Sequence, residues 1–466
     1  MTGGYYDLIS WDPRGVPSSR PQAHCFDSAS EEKKLWADTV FGPGLEARGD
    51  FSTQDDIAEF LELSQPADQV LLNLKKKCEQ RNIPDTLSYV GTVATVRDML
   101  AINEAYGGTE KINFWGFSYG SLIGLYFVNL FPERVGRVIL EGVVDPEYWA
   151  NKPPHMSWSV TATHMDETLG KFATACIERP KSCEFGKGVK TQAELLSKLK
   201  NLLNLAYEHK KSNGKTAEFS SSGIRGAPTA NLPDPDQWNN LSNSLSGIYG
   251  KLRSQAAVSG SSVLSRLSPY IWRGSSHNDF TDDTPNYSFQ AITCGDAVSQ
   301  AGVTTKEVFR ELTRVAKDIT PILGPAWGEG GLYCHQWPYR AVERLDSPWK
   351  TSLSKLSKPL LILGNTIDPI TPYKSAEKVA HALADSAVLV TQEAYGVSLG
   401  DYFLGRVQQC RQIVPDNAST ESARSTSSIV QNYFVNGTLP SPGTTCKIYQ
   451  NPFPGGPADD KGRSEL

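Results

Sequence analysis

The chain has 466 residues, is 39% hydrophobic, and carries a net charge of −5 with a pI near 5.9. That apolar content suits one large domain with an insertion, or two domains. The acidic balance argues against a nucleic-acid partner or an anionic membrane surface, which would favour a basic patch, and no apolar run reaches the ~20 residues that span a bilayer.

In chain order, the segment Met1 to Asp7 has neither the basic start nor the apolar stretch of a signal peptide. Residues 5–11 form an aromatic and β-branched run that ends at Asp12-Pro13-Arg14-Gly15, and they predict a buried strand closing in a turn. Residues 53–80 and 89–106 have helical spacing. Residues 111–115 predict a short strand, 121–131 a helix apolar on nearly every side, and 137–144 a further strand. This β–turn–α–β order predicts a parallel sheet. From residue 150 to 349 the chain is polar, aromatic and irregular, with helices expected at 164–178, 192–209 and 304–318, and loops at 212–237 and 274–286. The sheet pattern resumes with a strand at 359–364, a helix at 373–384 and a strand at 387–391. The last dozen residues read as a disordered tail. The expected architecture is α/β: a mostly parallel sheet flanked by helices, split into core halves 1–149 and 350–466 by a largely helical cap at 150–349.

The nucleophile motif is Gly116-Phe117-Ser118-Tyr119-Gly120. A G-x-S-x-G match is weak alone, and Gly396-Val397-Ser398-Leu399-Gly400 also fits. Context separates them. The chemistry needs a strand running into the turn and a helix running out of it, so that a strained backbone exposes the hydroxyl at a helix N-terminus. Ser118 has both flanks and Ser398 has neither. The acid of such a triad follows a late strand, which points to Asp368 in Gly364-Asn365-Thr366-Ile367-Asp368-Pro369. The plainer reading of Asp368 is a turn former before proline, and Asp145 is the runner-up position.

The eight cysteines (Cys25, Cys78, Cys176, Cys183, Cys294, Cys334, Cys410, Cys446) form no CxxC pair and no His-rich cluster, so neither a metal site nor any other cofactor is expected. They fit either free thiols in a cytosolic protein or disulfides in a secreted one. In the second case the close pair Cys176 and Cys183 would bridge. Sequons stand at Asn240, Asn286, Asn417 and Asn436, a number that composition alone would produce.

The chain resembles the tripeptidyl-aminopeptidase-like branch of the proline iminopeptidase family, serine exopeptidases of the α/β-hydrolase fold. The resemblance rests on residues 7–15, the elbow 116–121, Phe131-Pro132-Glu133-Arg134-Val135, Ile292-Thr293-Cys294-Gly295-Asp296, Cys334 with Trp337-Pro338, residues 364–372 and residues 433–440. It implies secretion, disulfides, a helical cap and release of short peptides from free N-termini. It also implies Ser118 as nucleophile, Asp368 as acid and the Tyr119 backbone N–H as an oxyanion donor. Acidic cap residues would bind the substrate ammonium; Asp296 is one such residue, with a structural role as the other reading.

Two positions depart from the family pattern. The base is expected at Gly-His after the strand 387–391, where this chain has Gly396-Val397, and no histidine follows His381. His381 lies in the preceding helix, and His24, His155, His164, His209, His277 and His335 all precede the acid; His277 and His335 could approach from the cap. The chain also begins at about the family's fourth strand, so the third strand and the other oxyanion donor are not expected. Val-Ser can be encoded as GTGAGT, a splice-donor consensus. A retained intron from Val397 to about Thr426 and a late-chosen start codon would explain both departures. Three functions therefore compete: a serine exopeptidase acting on peptides, a non-catalytic hydrolase-fold binding protein, and an esterase or lipase.

Overall fold

The computed structural model describes residues 4–42, 44–82, 85–108, 110–257, 284–345, 356, 358–397, 408–411, 425–448 and 452–453. Its centre is a six-stranded sheet in the order β1-β2-β3-β4-β6-β5, formed by β1 (Ile112–Phe117), β2 (Val135–Glu141), β3 (Leu360–Ile367), β4 (Ala387–Tyr395), β5 (Gln408–Arg411) and β6 (Thr445–Ile448). All neighbours run parallel except β5 against β6. β2 and β3 are near-continuous apolar runs because helices cover both of their faces.

The helices are α1 (Ala29–Trp36), α2 (Gln54–Glu62), α3 (Ser64–Arg81), α4 (Thr92–Ala105), α5 (Tyr119–Leu130), α6 (Pro146–Asn151), α7 (Trp158–Thr161), α8 (Met165–Glu178), α9 (Gln192–Asn213), α10 (Ser221–Asn231), α11 (Trp238–Ala257), α12 (Ser288–Asp296), α13 (Thr305–Asp318), α14 (Glu329–Leu332), α15 (Tyr373–Leu383) and α16 (Thr426–Asn436). On one face of the sheet α4, α5 and α15 bury Val96, Leu122, Phe127 and Val379 against Leu140 and Ile362. On the other, Val430, Tyr433 and Phe434 of α16 pack on Ile139, Leu361 and Leu363. The chain between β2 and β3 builds its own apolar centre, with Phe172, Leu199, Leu202 and Trp238 fully buried. Residues ahead of the sheet join the cap side: Phe51 and Phe60 pack with Phe309 of α13.

The expected α/β-hydrolase architecture is observed, with helices at the anticipated places in the cap. Two expectations are corrected. Residues 5–13 carry no strand, and Leu8 and Tyr5 are 82% and 75% exposed. A strand needs a ladder neighbour. Among the described residues β1 is the sheet's end strand and pairs only with β2, so the run lies outside the sheet. It is anchored instead by Tyr6, whose hydroxyl donates to Phe434 O (2.5 Å) and accepts from Arg137 (2.8 Å). The turn after it does form, and Arg14 makes a two-pronged pair with Asp98 at 2.7 Å. The second correction is α10, which lies where a loop was expected. Ser220 caps it by accepting from Gly223 N (3.1 Å), and the fully buried Arg225 holds it by donating to the carbonyls of Ile322 (3.0 Å), Ala47 (2.8 Å) and Gly49. Ser398, Asn417, His277, most of 274–286 and the tail lie outside the described residues.

Three disulfides join described residues: Cys25–Cys78, Cys176–Cys183 and Cys294–Cys334. Cys446 is also disulfide-bonded, and its ladder partner is Cys410. Among the described residues there are no free cysteines, no cluster that could hold a metal ion, and no helix long and apolar enough to cross a membrane.

Candidate active site

Ser118 stands between the end of β1 and the start of α5, with φ +50° and ψ −118°. Few non-glycine residues adopt a positive φ. Here the turn is enforced from both sides. A Cβ at Gly116 would lie 2.2 Å from Gly120 O, so only glycine lets the two limbs cross. Ser118 N donates to Glu141 O at the end of β2 (3.0 Å), and Ser118 O accepts from Ser121 Oγ (2.6 Å). The buried Ser121 Oγ also accepts from Val144 N (3.1 Å), stitching the elbow to the chain beyond β2. α5 is buried along most of its length, as its composition predicts.

Asp368 follows β3 and is fully buried. Its Oδ1 accepts from the backbone N–H groups of Ile370 and Thr371, and its Oδ2 from Thr371 Oγ1, all at 2.8 Å. This loop reaches the elbow across Gly142. A Cβ built there would lie 3.1 Å from Thr371 Oγ1 and 3.6 Å from Ser118 N. Ser118 and Asp368 are thus brought to one locus by three strand ends. Asp145, the runner-up acid, is used otherwise: it caps α6 by accepting from Glu147 N (2.9 Å) and Tyr148 N (3.2 Å), and it pairs with Lys378 at 2.8 Å.

The position where a base was anticipated, Val397, lies just past β4 and beside the acid loop. Gly396 N donates to Ile367 O (2.9 Å), the residue before Asp368, and Val397 N donates to Pro233 O of the cap (2.8 Å). Stacking of Tyr395 on Trp238 (5.0 Å between rings) brings the cap onto the same strand end. His381 is exposed on α15. His335 is tied to Thr305 Oγ1 (2.6 Å), among α13 residues, and burial pushes it down to about 4. His164, at the start of α8, is set aside by the sequence because it precedes Asp368 in the chain. The Asp368 backbone lies against its ring, while burial holds it below the ordinary histidine range. No local sequence signal marks it, because the contact joins cap to core across 204 residues of chain.

Tyr119 opens α5, and its phenol stands 3.0 Å from Thr92 Oγ1; burial drives its pKa upward. Asp296 ends α12 with both carboxylate oxygens occupied, by Thr92 and by Trp149 Nε1. Burial raises its pKa.

A serine on a strained strand–turn–helix elbow, with a buried carboxylate two strands along the sheet, has the arrangement of an α/β-hydrolase site. Comparison with known proteins agrees. Residues 320–410, which include Asp368 and Val397, match the family described as TAP-like protein. The chain is 27% identical to serine protease Hip1 of Mycobacterium tuberculosis over 387 residues, 82% of this chain and 67% of that protein. It is 25% identical to the tripeptidyl aminopeptidase of Streptomyces lividans over 480 residues, 97% and 72% of the two. Carboxylesterase B of Mycobacterium tuberculosis is 24% identical over 453 residues, 95% and 74%. The chain thus has an α/β-hydrolase fold with a TAP-like match over residues 320–410, and it is similar to serine peptidases and hydrolases.

Proposed function

We propose that the protein is a serine exopeptidase by descent, its site built to release short peptides from free N-termini through Ser118, with Asp368 as the acid, the Tyr119 N–H as an oxyanion donor and the triad histidine replaced by Val397. The observation that carries this reading is the positive φ of Ser118 at an elbow connected to Asp368 through Gly142 and Thr371. In the reaction Ser118 Oγ attacks the scissile carbonyl, the C–N bond breaks, and the amine leaves with a proton. Water then hydrolyses the acyl-enzyme. Two proton transfers need a base, and Val397 has none to offer. The disulfides support an oxidising, extracellular setting.

Val397 favours a second reading, a hydrolase-fold protein that binds ligand without turnover. Loss of one triad member costs about 10⁴-fold or more in kcat. A fluorophosphonate probe separates the two. Labelling of the wild-type chain that vanishes in Ser118→Ala supports catalysis, and no labelling supports the binding protein. Val397→His is expected to raise labelling at least ~100-fold by restoring the base. If it adds nothing, Asp368 and Val397 are not the acid and base positions. Hydrolysis of tripeptide arylamides against p-nitrophenyl esters then distinguishes peptidase from esterase.

A further inference from the structure

We propose that Asp296 is a positioning residue of the nucleophile elbow, holding the Tyr119 side chain through Thr92 and so fixing the backbone N–H that follows Ser118. The inference rests on the reading of Ser118 as a nucleophile and replaces the notion of Asp296 as an ammonium receptor. Asp296 is 2% exposed. Its Oδ1 accepts from Thr92 N (2.9 Å); its Oδ2 accepts from Thr92 Oγ1 (2.5 Å) and from Trp149 Nε1 (2.8 Å). Thr92 has one hydroxyl proton, and Asp296 receives it. The remaining contact, Thr92 Oγ1 to Tyr119 OH at 3.0 Å, therefore has the phenol as donor. The chain of bonds runs in one direction, Tyr119 to Thr92 to Asp296.

Four separate pieces of the fold meet here: Asp296 at the C-terminus of α12, Thr92 at the N-terminus of α4, Trp149 on α6 and, through Thr92, Tyr119 at the start of α5. α12 is itself pinned two residues earlier by Cys294–Cys334. The rings of Trp149 and Tyr119 lie 6.0 Å apart, so the indole that donates to Asp296 also stands beside Tyr119. Asp296 is buried and already holds three donors of the protein's own, so its charge is compensated from within the fold rather than presented to a substrate ammonium. What the arrangement does instead is fix one side chain of the elbow. Tyr119 is adjacent to Ser118, so holding its ring restricts the Ser118–Tyr119 peptide. An oxyanion donor contributes only if it is aimed in advance.

Thr92→Val and Asp296→Asn, which are near-isosteric, and Thr92→Ser, which keeps the hydroxyl, test the link with two readouts. The first is amide hydrogen exchange of a peptide spanning residues 117–123, referenced to α9 in the same protein. The second is the rate of fluorophosphonate labelling. Thr92→Val and Asp296→Asn are expected to speed elbow exchange and slow labelling by roughly tenfold or more, with Thr92→Ser matching wild type. A merely structural Asp296 would lower thermal stability and leave elbow exchange, relative to α9, unchanged. Equal elbow exchange in Thr92→Val and Thr92→Ser overturns the proposal. If neither wild type nor Val397→His labels, the nucleophile reading fails on its own, and the exchange readout still decides whether Asp296 controls the elbow.

Discussion

At Ser118 the backbone occupies a region that costs a residue bearing a Cβ about 1–3 kcal/mol. The cost is offset by the bonds to Glu141 O and Ser121 Oγ and by the packing of α5. Gly142 sets the spacing between this serine and the acid loop. Its φ is +58°, and an added methyl would press on Thr371 Oγ1 at 3.1 Å. Gly142→Ala should therefore destabilise the fold by about 1–2 kcal/mol and slow labelling of Ser118. Denaturant midpoint and probe kinetics measure the two effects, and an unchanged midpoint would show that the spacing is not fixed there.

At the scale of elements, α8 and the stretch around α13 to α14 carry buried groups that titrate in opposite senses. Asp166, in the first turn of α8, accepts from Thr320 Oγ1 (2.5 Å), and burial pushes it up to about 6. Its raised folded pKa contributes stability that is present below about 4 and lost as pH rises through 6. His335 is pushed down to about 4, below its unfolded value of about 6.5. The unfolded chain then binds the extra proton between those values, so stability is present above about 6.5 and lost as pH falls toward 4. The two slopes oppose each other over most of that window. Asp166→Asn keeps an acceptor for Thr320 and removes one of them. Its stability should fall more steeply between pH 6.5 and 4 than wild type, by up to about 1.4 kcal/mol per pH unit, as read from denaturation at several pH values. A profile parallel to wild type would contradict the assignment of Asp166.

For the whole molecule, the cap and core share surfaces at the site itself: Pro233 bonds Val397, Trp238 stacks on Tyr395, and Asp296 grips Thr92. Any shift of the cap is therefore felt at the elbow and at the position beside the acid. The far side is different in kind. Tyr5, Leu8 and Ile9 present apolar surface near the sheet without joining it. Exposed apolar groups of this sort promote self-association. Leu8→Lys should change folding stability by less than about 0.5 kcal/mol while reducing association seen by light scattering. A loss of stability above 1 kcal/mol, by the same reckoning, would place Leu8 in a packed environment.

The sequence alone determined the strand–turn–helix around Ser118, because strand, glycines and an all-round apolar helix are local signals, and it put Asp368 in the loop after the strand 359–364. It also located α8, α9 and α13, whose apolar periodicities stand clear of their surroundings. It misplaced residues 5–11, since an apolar run becomes a strand only if a neighbour supplies the ladder, and that neighbour is a tertiary fact. It missed α10 because Ser220, Arg225 and Pro228 look like loop composition; the helix is held by carbonyls of Ala47, Gly49 and Ile322, distant in sequence. The same limit governs the site. That Val397 lies beside the acid, that His164 approaches Asp368 from the cap, and that Asp296 belongs to Tyr119 were decided only when the folded chain brought α4, α8, α12 and the strand ends together.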